Sequence, residues 1–142
     1  MSNITQERIA STGTERHCHC NRNGKGSVMR IMDDFDRRRL EQNQRIIDSG
    51  HRGIKRFFSL DADAYREGAL SSREKELMGL VASTVLRCDD CIRYHLARCV
   101  EMGVSRDQIY EALNISLVVG GSITIPHLRY AFEVMTAAEN DS

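Results

Sequence analysis

The chain has 142 residues, a formal net charge of zero and 28% charged residues. These values suit one domain with a buried core and exclude a global field that would draw the chain to nucleic acid or to a membrane. The N-terminus lacks the apolar stretch of a signal peptide, and the longest apolar run, residues 113–125, is too short and too polar to span a bilayer. Five cysteines, an odd number, argue against a disulfide-stapled secreted fold, so we expect a cytoplasmic protein.

The first 29 residues are polar and aperiodic. We expect them to form a mobile tail, followed by one domain over residues 30–142. The tail contains four consecutive residues of metal-ligand type: His17, Cys18, His19 and Cys20. Because adjacent ligands do not converge on one ion without help, we interpret them as part of the tail rather than as a metal-binding tag.

The pattern turns helical after the tail. A strongly polar helix is predicted to start at about Ile31 and to end at Gly50 in a left-handed cap. Apolar residues recur at helical spacing from Ile54, and Asp61 is predicted to cap a short helix that runs through Tyr65.

Three further helices are marked more clearly. Capping boxes open two of them, at Ser71–Glu74 and Ser105–Gln108, and another runs from about Cys88 to Met102, with Gly103 as its stop. Their predicted inward residues are Leu77, Leu80, Val81, Thr84 and Val85; Ile92, Leu96 and Val100; and Ile109, Leu113 and Leu117.

A last helix is predicted to start near Pro126, after a break at Gly120-Gly121. The apolar segment from Val118 to Ile125 is also compatible with a locally extended chain. Because period-two alternation is otherwise scarce, the sequence predicts an all-α fold, a compact bundle of about six helices.

The residues of this chain best suited to thiol and acid-base chemistry are Cys88-Asp89-Asp90-Cys91 followed by His95. On a helix, Cys88, Cys91 and His95 fall within one stripe. A thiol reacts as thiolate, and His95 is placed to accept the proton of Cys91. Backbone N–H groups at a helix start favour the thiolate, whereas burial and the two aspartates disfavour it. Cys88, at the helix start, is expected to be the more exposed sulfur.

Glu76 is a further candidate, because it lies at the edge of the apolar face of its helix. In one unbroken helix Glu76 and Cys88 would be about 18 Å apart. A shared role therefore requires the helix to break near Arg87. We expect Cys99 to be a small core residue. His127, after Pro126, is a candidate for the same cavity, although such a histidine is more often simply hydrogen-bonded structure.

The segments Lys75-Glu76-Leu77, Cys88 to His95, Gly120 to Ile123 and Ile125 to Arg129 resemble the carboxymuconolactone decarboxylase family. Within that family the chain is most similar to the AhpD-like branch, the alkyl hydroperoxidase D type. That branch carries Glu, eleven intervening residues, Cys-x-x-Cys, three residues and then His, as this sequence does. Some members have histidine immediately before the second cysteine, where this chain has Asp90. The resemblance covers roughly residues 31–138 and is most specific over residues 75–129.

The resemblance implies an all-helical subunit that assembles as trimers or hexamers and reduces peroxides through its thiols. The residues that match the motif, Glu76, Cys88, Cys91 and His95, are therefore the expected catalytic residues, and His127 remains a candidate for the substrate pocket. We expect no cofactor and no resident metal. The expected partners are a small peroxide or other small-molecule substrate, a thiol or disulfide reductant protein and further copies of the chain, with neither nucleic acid nor a membrane involved.

Three other functions remain open. Cys88, Cys91 and His95 would hold zinc if a fourth ligand came from elsewhere, although ligands on one helix close a tetrahedron poorly. A cofactor-free decarboxylase or lyase would use Glu76, His95 and His127 as proton-transfer groups on a small carboxylated lactone. A plain helical interaction module would need none of them.

Overall fold

The computed structural model describes residues 25–139, with side chains over residues 35–136. Within this range the chain forms six α-helices and one short 3₁₀ helix, with no strand, which confirms the predicted all-α fold. The helices are α1 (Lys25–Asp48), α2 (Arg52–Ala64), α3 (Ser72–Val85), α4 (Asp89–Glu101), α5 (Arg106–Gly120), the 3₁₀ helix (Ser122–Thr124) and α6 (Ile125–Glu139). The tail was predicted over residues 1–29. Its first 24 residues, with the His17–Cys20 run, lie outside the described residues, whereas residues 25–29 are helical and belong to α1.

The first two helices differ from the prediction at their starts. Helix α1 begins at Lys25, ahead of the predicted start at Ile31. Gly50, with φ of 76°, takes the left-handed conformation expected after this helix. The prediction that Asp61 caps a helix was wrong, because Asp61 lies inside α2. The N-cap of α2 is His51, which has an extended backbone. Its ring nitrogen Nδ1 accepts the N–H of Ile54.

Both predicted capping boxes form, and they fix where α3 and α5 begin. Ser71 Oγ accepts the N–H of Glu74, and Glu74 Oε2 accepts the N–H of Ser71 at 2.7 Å. Ser105 and Gln108 make the same reciprocal pair at the start of α5. Each box satisfies two N–H groups that the first helical turn leaves without partners.

A three-residue turn reverses the chain between α3 and α4. Arg87 has φ of 60°, the left-handed conformation that side chains disfavour, and Cys88 is the N-cap of α4. The N–H of Cys88 donates to the carbonyl of Ser83 at 3.0 Å. The two helices pack against each other. The predicted break near Arg87 is therefore confirmed.

The core lies between α3, α4, α5 and α6. Its buried apolar residues are Leu80, Ile92, Leu96, Cys99, Val104, Ile109, Leu113, Ala131, Val134 and Met135. Cys99 is fully buried, as predicted, whereas Val100 is 46% exposed and was wrongly placed inward. One position along a helix turns a side chain by 100°, so the buried stripe passes through Cys99 and leaves Val100 outside.

The segment between α5 and α6 is helical rather than extended. Helix α5 continues to Gly120, and Gly121 (φ of 72°) turns the chain into the 3₁₀ helix. Thr124 is buried and its hydroxyl donates to the carbonyl of Gly121 at 2.8 Å. The extended alternative for this segment was therefore wrong. Over the described residues no helix is both long and apolar enough to cross a membrane.

Candidate functional site

The two cysteines of the Cys-x-x-Cys motif are joined by a disulfide at the start of α4. Their Cα atoms are 5.3 Å apart, and the N–H of Cys91 points at the Cys88 sulfur at 3.4 Å. Cys91 is exposed and Cys88 is half-buried. The expectation that Cys88 would be the more exposed of the two was therefore wrong, because as N-cap it is held against the turn from α3. The structure describes the oxidised state of the pair.

One carboxylate oxygen of Glu76 contacts His95 across the interface between α3 and α4. Glu76 Oε2 lies 2.7 Å from His95 Nδ1, although the residues are 19 positions apart in sequence. Glu76 is 2% exposed and His95 is 8% exposed. A carboxylate and an imidazole this close, shielded from water, orient one another strongly and fix which ring nitrogen carries hydrogen.

Gly79 provides the space that the imidazole occupies. A Cβ atom at position 79 would lie 2.5 Å from Cε1 and 2.7 Å from Nδ1 of His95. The ring therefore rests directly on the backbone of α3, one turn after Glu76. The absence of a side chain at Gly79 is what allows α3 and α4 to approach closely enough for the Glu76–His95 contact.

The second carboxylate oxygen of Glu76 faces a cation. Glu76 Oε1 lies 3.6 Å from Nε of Arg98, one turn beyond His95 on α4. Arg98 also forms an ion pair with the exposed carboxylate of Glu101. The buried carboxylate is thus partnered on both oxygens, which a charge removed from water requires.

Two tyrosines flank His95, and neither was predicted from the sequence to belong to the site. The hydroxyl of Tyr65, at the end of α2, lies 3.5 Å from His95 Nε2, and the two rings are 5.4 Å apart. Tyr94 meets the His95 ring edge-on at 5.1 Å. Burial and then the nearby Glu76 carboxylate raise the pKa of both tyrosines, so both keep their protons at neutral pH.

A cavity of about 650 Å³ adjoins this cluster on the side of α1 and α2. Glu76, Tyr65 and Tyr94 form part of its wall, together with Arg39 and Arg98. The guanidinium of Arg39 lies 4.4 Å above the Tyr94 ring. The cavity reaches the carboxylate that holds His95, and neither cysteine is among its lining residues.

His127, on α6, lies beside the N-terminal end of α4, away from the cavity that adjoins Glu76. Its Nδ1 is 2.6 Å from Oδ1 of Asp89, which immediately follows Cys88. His127 is not among the residues that line the cavity beside Glu76. It ties α6 to the first turn of α4, which matches the more ordinary of the two roles weighed for it, a hydrogen-bonded structural histidine.

The side chains placed by the structure form no evident metal centre. Over residues 35–136, no three side chains of histidine, cysteine, aspartate or glutamate are grouped so that they could hold an ion. The two sulfurs are bonded to each other and His95 is engaged by Glu76.

Residues 54–137 match the sequence profile of the carboxymuconolactone decarboxylase family, over more than half of the chain. The chain belongs to this family. The match begins in α2 and ends in α6, so it contains Glu76, the cysteine pair, His95 and His127. The resemblance inferred from the motifs is therefore confirmed at the level of the family.

Two crystal structures of a family member from Thermotoga maritima are similar to this chain. One has 57% identity, a TM-score of 0.72 and coverage of 75% of this chain and 90% of its own. The second has 54% identity, a TM-score of 0.73 and coverage of 77% and 98%. A role in antioxidative response has been suggested for that protein. A family member from Legionella pneumophila, in its apo form, shares the fold at 22% identity and a TM-score of 0.62, covering 76% and 93%.

Two sequence relatives are uncharacterised proteins. One, from Cupriavidus necator, is 29% identical over 72 residues, which are 51% of this chain and 61% of the relative. The chain thus spans about three fifths of that protein. The other, protein 4 in the cox locus of Paracoccus denitrificans, is 27% identical over 79 residues, 56% of this chain and 71% of the relative.

In the present chain, the cysteine pair and the Glu76–His95 pair support two kinds of chemistry. The cysteine pair can be reduced to a dithiol and oxidised again, because its sulfurs already meet without movement of the backbone. The Glu76–His95 pair can accept and return a proton in a largely buried site. Both belong to the first two turns of α4 and to the facing part of α3.

Proposed function

We propose that this protein is a thiol-dependent oxidoreductase of the AhpD-like type that reduces peroxides. The observation that carries the proposal is the buried Glu76–His95 pair, whose histidine lies on the same helix, α4, as the joined, partly exposed Cys88–Cys91 pair. An acid-base pair beside a reversible disulfide is what peroxide reduction by thiols needs. The antioxidative role suggested for the Thermotoga relative is consistent with it.

In the proposed reaction the reduced Cys91 gives its thiol proton to Nε2 of His95, directly or through a water molecule. The thiolate attacks the O–O bond of the peroxide and takes one oxygen as sulfenic acid, and the leaving alkoxide or hydroxide recovers the proton from the imidazolium. The Cys88 thiol then condenses with the sulfenic acid, which forms the disulfide and releases water. Glu76 keeps Nδ1 of His95 protonated throughout, so that Nε2 is the atom that accepts and returns the proton.

We assign the attack to Cys91 because it is the more exposed residue of the pair and lies one turn before His95. In the opposite assignment Cys88 meets the peroxide and Cys91 meets the reductant. Either way, two electrons from a thiol or disulfide reductant protein must return the pair to the dithiol by exchange. A cytoplasmic location would supply such a reductant.

Thiol counting tests the proposal. The reduced chain contains five cysteines, and one equivalent of peroxide should remove two thiols, which mass spectrometry should place at Cys88 and Cys91. Cys91→Ser should abolish the loss, and trapping the sulfenic acid in Cys88→Ser should label Cys91. A Cys91→Ser protein with undiminished turnover would refute the assignment.

The role of Glu76 is tested with a matched pair of variants. Glu76→Gln keeps the shape and removes the charge that orients His95, so we expect slower peroxide-dependent thiol loss. Glu101→Gln alters the other carboxylate that Arg98 contacts, which is exposed and does not touch His95, and it should react at the rate of the unmodified protein. Equal rates for the two variants would exclude a role for Glu76 in the proton relay.

We also propose that the chain assembles with itself as a trimer or hexamer. An apolar groove of about 680 Å³ lies between α3 and α5, and the exposed residues of its wall include Met78, Leu86, Ile115 and Val119. Exposed apolar area of this kind is uncommon on a monomer. Light scattering coupled to gel filtration measures the mass directly, and a 16.1 kDa species would contradict the proposal.

A decarboxylase or lyase function is the second candidate, because the buried Glu76–His95 pair supplies acid-base chemistry that needs no sulfur. The two functions separate in a Cys88→Ser/Cys91→Ser protein. Turnover of a small carboxylated lactone that survives loss of both cysteines would favour the lyase, whereas loss of all activity would favour the oxidoreductase.

A further inference from the structure

Tyr65 contacts the proton relay although it lies outside the Glu, Cys-x-x-Cys and His motif. It is the C-cap of α2, and its hydroxyl approaches His95 Nε2 to 3.5 Å while its ring packs on the imidazole at 5.4 Å. It is half-buried and belongs to the wall of the cavity beside Glu76. Helix α2 therefore delivers a polar group to the relay from the opposite side to α3.

The contact matters because the two ring nitrogens of His95 have different duties. Nδ1 faces a carboxylate at 2.7 Å and therefore carries hydrogen. Nε2 is then the nitrogen that is free to accept a proton from sulfur. After it does so, a buried Nε2–H needs an acceptor, since His95 is only 8% exposed.

We propose that Tyr65 is a positioning residue of the relay, which holds Nε2 of His95 in both of its protonation states. The inference rests on the proposed thiol chemistry. When the imidazole is neutral, the Tyr65 hydroxyl donates to the Nε2 lone pair. When the Cys91 proton moves to Nε2, the hydroxyl turns and its oxygen accepts the new Nε2–H. One proton leaves sulfur and one arrives at nitrogen, and the tyrosine keeps its own.

The length of the contact agrees with this role in the oxidised protein. At 3.5 Å the hydroxyl is at the outer limit of a hydrogen bond, so it holds the Nε2 lone pair only weakly and is readily displaced by an incoming proton. Charge-assisted hydrogen bonds are shorter and stronger, so the contact should tighten once the imidazole is charged. The hydroxyl thus favours the imidazolium, and with it the thiolate, more than it favours the neutral pair.

Other titratable and charged groups surround the same point. Asp61 of α2 and Glu76 of α3 act on the Tyr65 hydroxyl, and Tyr94, Arg98 and Arg39 line the cavity beside it. They include two carboxylates and two guanidinium groups, so their negative and positive charges partly cancel at the Tyr65 hydroxyl. Tyr65→Phe leaves all of them in place and removes one oxygen atom, which makes it a clean test of the hydroxyl.

The test compares Tyr65→Phe with Tyr110→Phe in the reduced full-length chain. The Tyr110 hydroxyl contacts Arg106 and its ring stacks on Phe132, away from His95. At pH 7 we expect Tyr65→Phe to slow peroxide-dependent thiol loss about tenfold, the cost of leaving one buried N–H without its partner. The pH of half-maximal rate should rise by about one unit, since a tenfold change corresponds to one pH unit. Tyr110→Phe should match the unmodified protein.

The pH profile separates the role of the hydroxyl from a purely structural one. At a pH high enough to ionise the thiol without His95, the Tyr65→Phe and unmodified rates should converge. A loss of the same size at every pH, or no loss at all, would overturn the inference.

Thiolate absorbance at 240 nm, titrated on the reduced proteins without peroxide, separates this inference from the proposed function. A midpoint that rises in Tyr65→Phe alone supports the role of Tyr65 even if the unmodified protein fails to reduce peroxide. An unchanged midpoint in a protein that does reduce peroxide overturns the role of Tyr65 and leaves the proposed function standing.

Discussion

Replacing Gly79 by alanine tests the packing that holds His95 against α3. In an ordinary helix interior this substitution is stabilising by about 1 kcal/mol, because alanine loses less conformational entropy than glycine. Gly79 is not among the glycines with positive φ, so the backbone itself accepts alanine. Only the imidazole of His95 makes the substitution destabilising, because its Cε1 would lie 2.5 Å from the new Cβ.

The magnitude follows from what the displaced ring leaves behind. The Glu76 side chain is 3% exposed and would lose its 2.7 Å partner. Breaking a buried pair by removing one partner costs about 3 kcal/mol or more. Set against about 1 kcal/mol of improved helix propensity, Gly79→Ala should lower the free energy of unfolding by about 2 kcal/mol. Peroxide-dependent thiol loss should slow at the same time, because His95 no longer sits over Glu76.

Urea unfolding of the oxidised proteins, followed by circular dichroism at 222 nm, measures the effect. A double-mutant cycle with His95→Ala isolates its cause. Once the imidazole is removed, alanine at position 79 has room. Because alanine has the higher helix propensity, Gly79→Ala should stabilise the His95→Ala protein by up to about 1 kcal/mol. If Gly79→Ala stabilises the chain in both backgrounds, the close packing of His95 on α3 is refuted.

Three further outcomes are expected. Burial, and then the Glu76 carboxylate, raise the pKa of the Cys99 thiol to about 12 from its ordinary value of 9.0, so the folded state resists ionisation that the unfolded chain undergoes. Stability is therefore full below pH 9 and should fall by about 1.4 kcal/mol by pH 10 in urea unfolding, a loss that Cys99→Ala should remove. Ser71→Ala breaks a capping box and should cost about 1 kcal/mol in the same assay. His127→Gln removes a partly exposed pair with Asp89 and should cost less than about 1 kcal/mol, while thiol loss to peroxide stays unchanged.

Where the chain signals a helix end by local chemistry, the sequence predicted it well. The capping boxes at Ser71 and Ser105 depend on side chains three residues apart, and both form. The break near Arg87 followed from a length argument, since Glu76 and Cys88 could not otherwise share a site. The capping boxes are local, so they needed no knowledge of the packing, whereas the break was inferred from the requirement that two distant residues meet.

The remaining site residues depend on packing between helices that are distant in sequence. Nothing near Tyr65 marks it as a partner of His95, 30 positions later; only the docking of α2 brings them together. Asp61 was wrongly predicted to cap a helix, because aspartate is also acceptable on the exposed face of a helix interior, where Asp61 in fact lies. His51 is an uncommon cap, and it takes that role because Gly50 turns the chain just before it.

The spacing of the family motif can be understood as a property of the turn between α3 and α4. Along one continuous helix Glu76 and His95 would be separated by about 28 Å, yet their side chains meet at 2.7 Å. The reversal depends on Arg87 taking a left-handed backbone and on Cys88 capping the next helix at once. Adding or removing a residue within the helical parts of α3 or α4 between Glu76 and His95 would rotate one of the two side chains by 100° about its helix and carry His95 away from Glu76. The number of residues between Glu76 and the cysteines is thus set by helix geometry, and the redox pair lies at the turn because the N-cap of α4 is itself a cysteine.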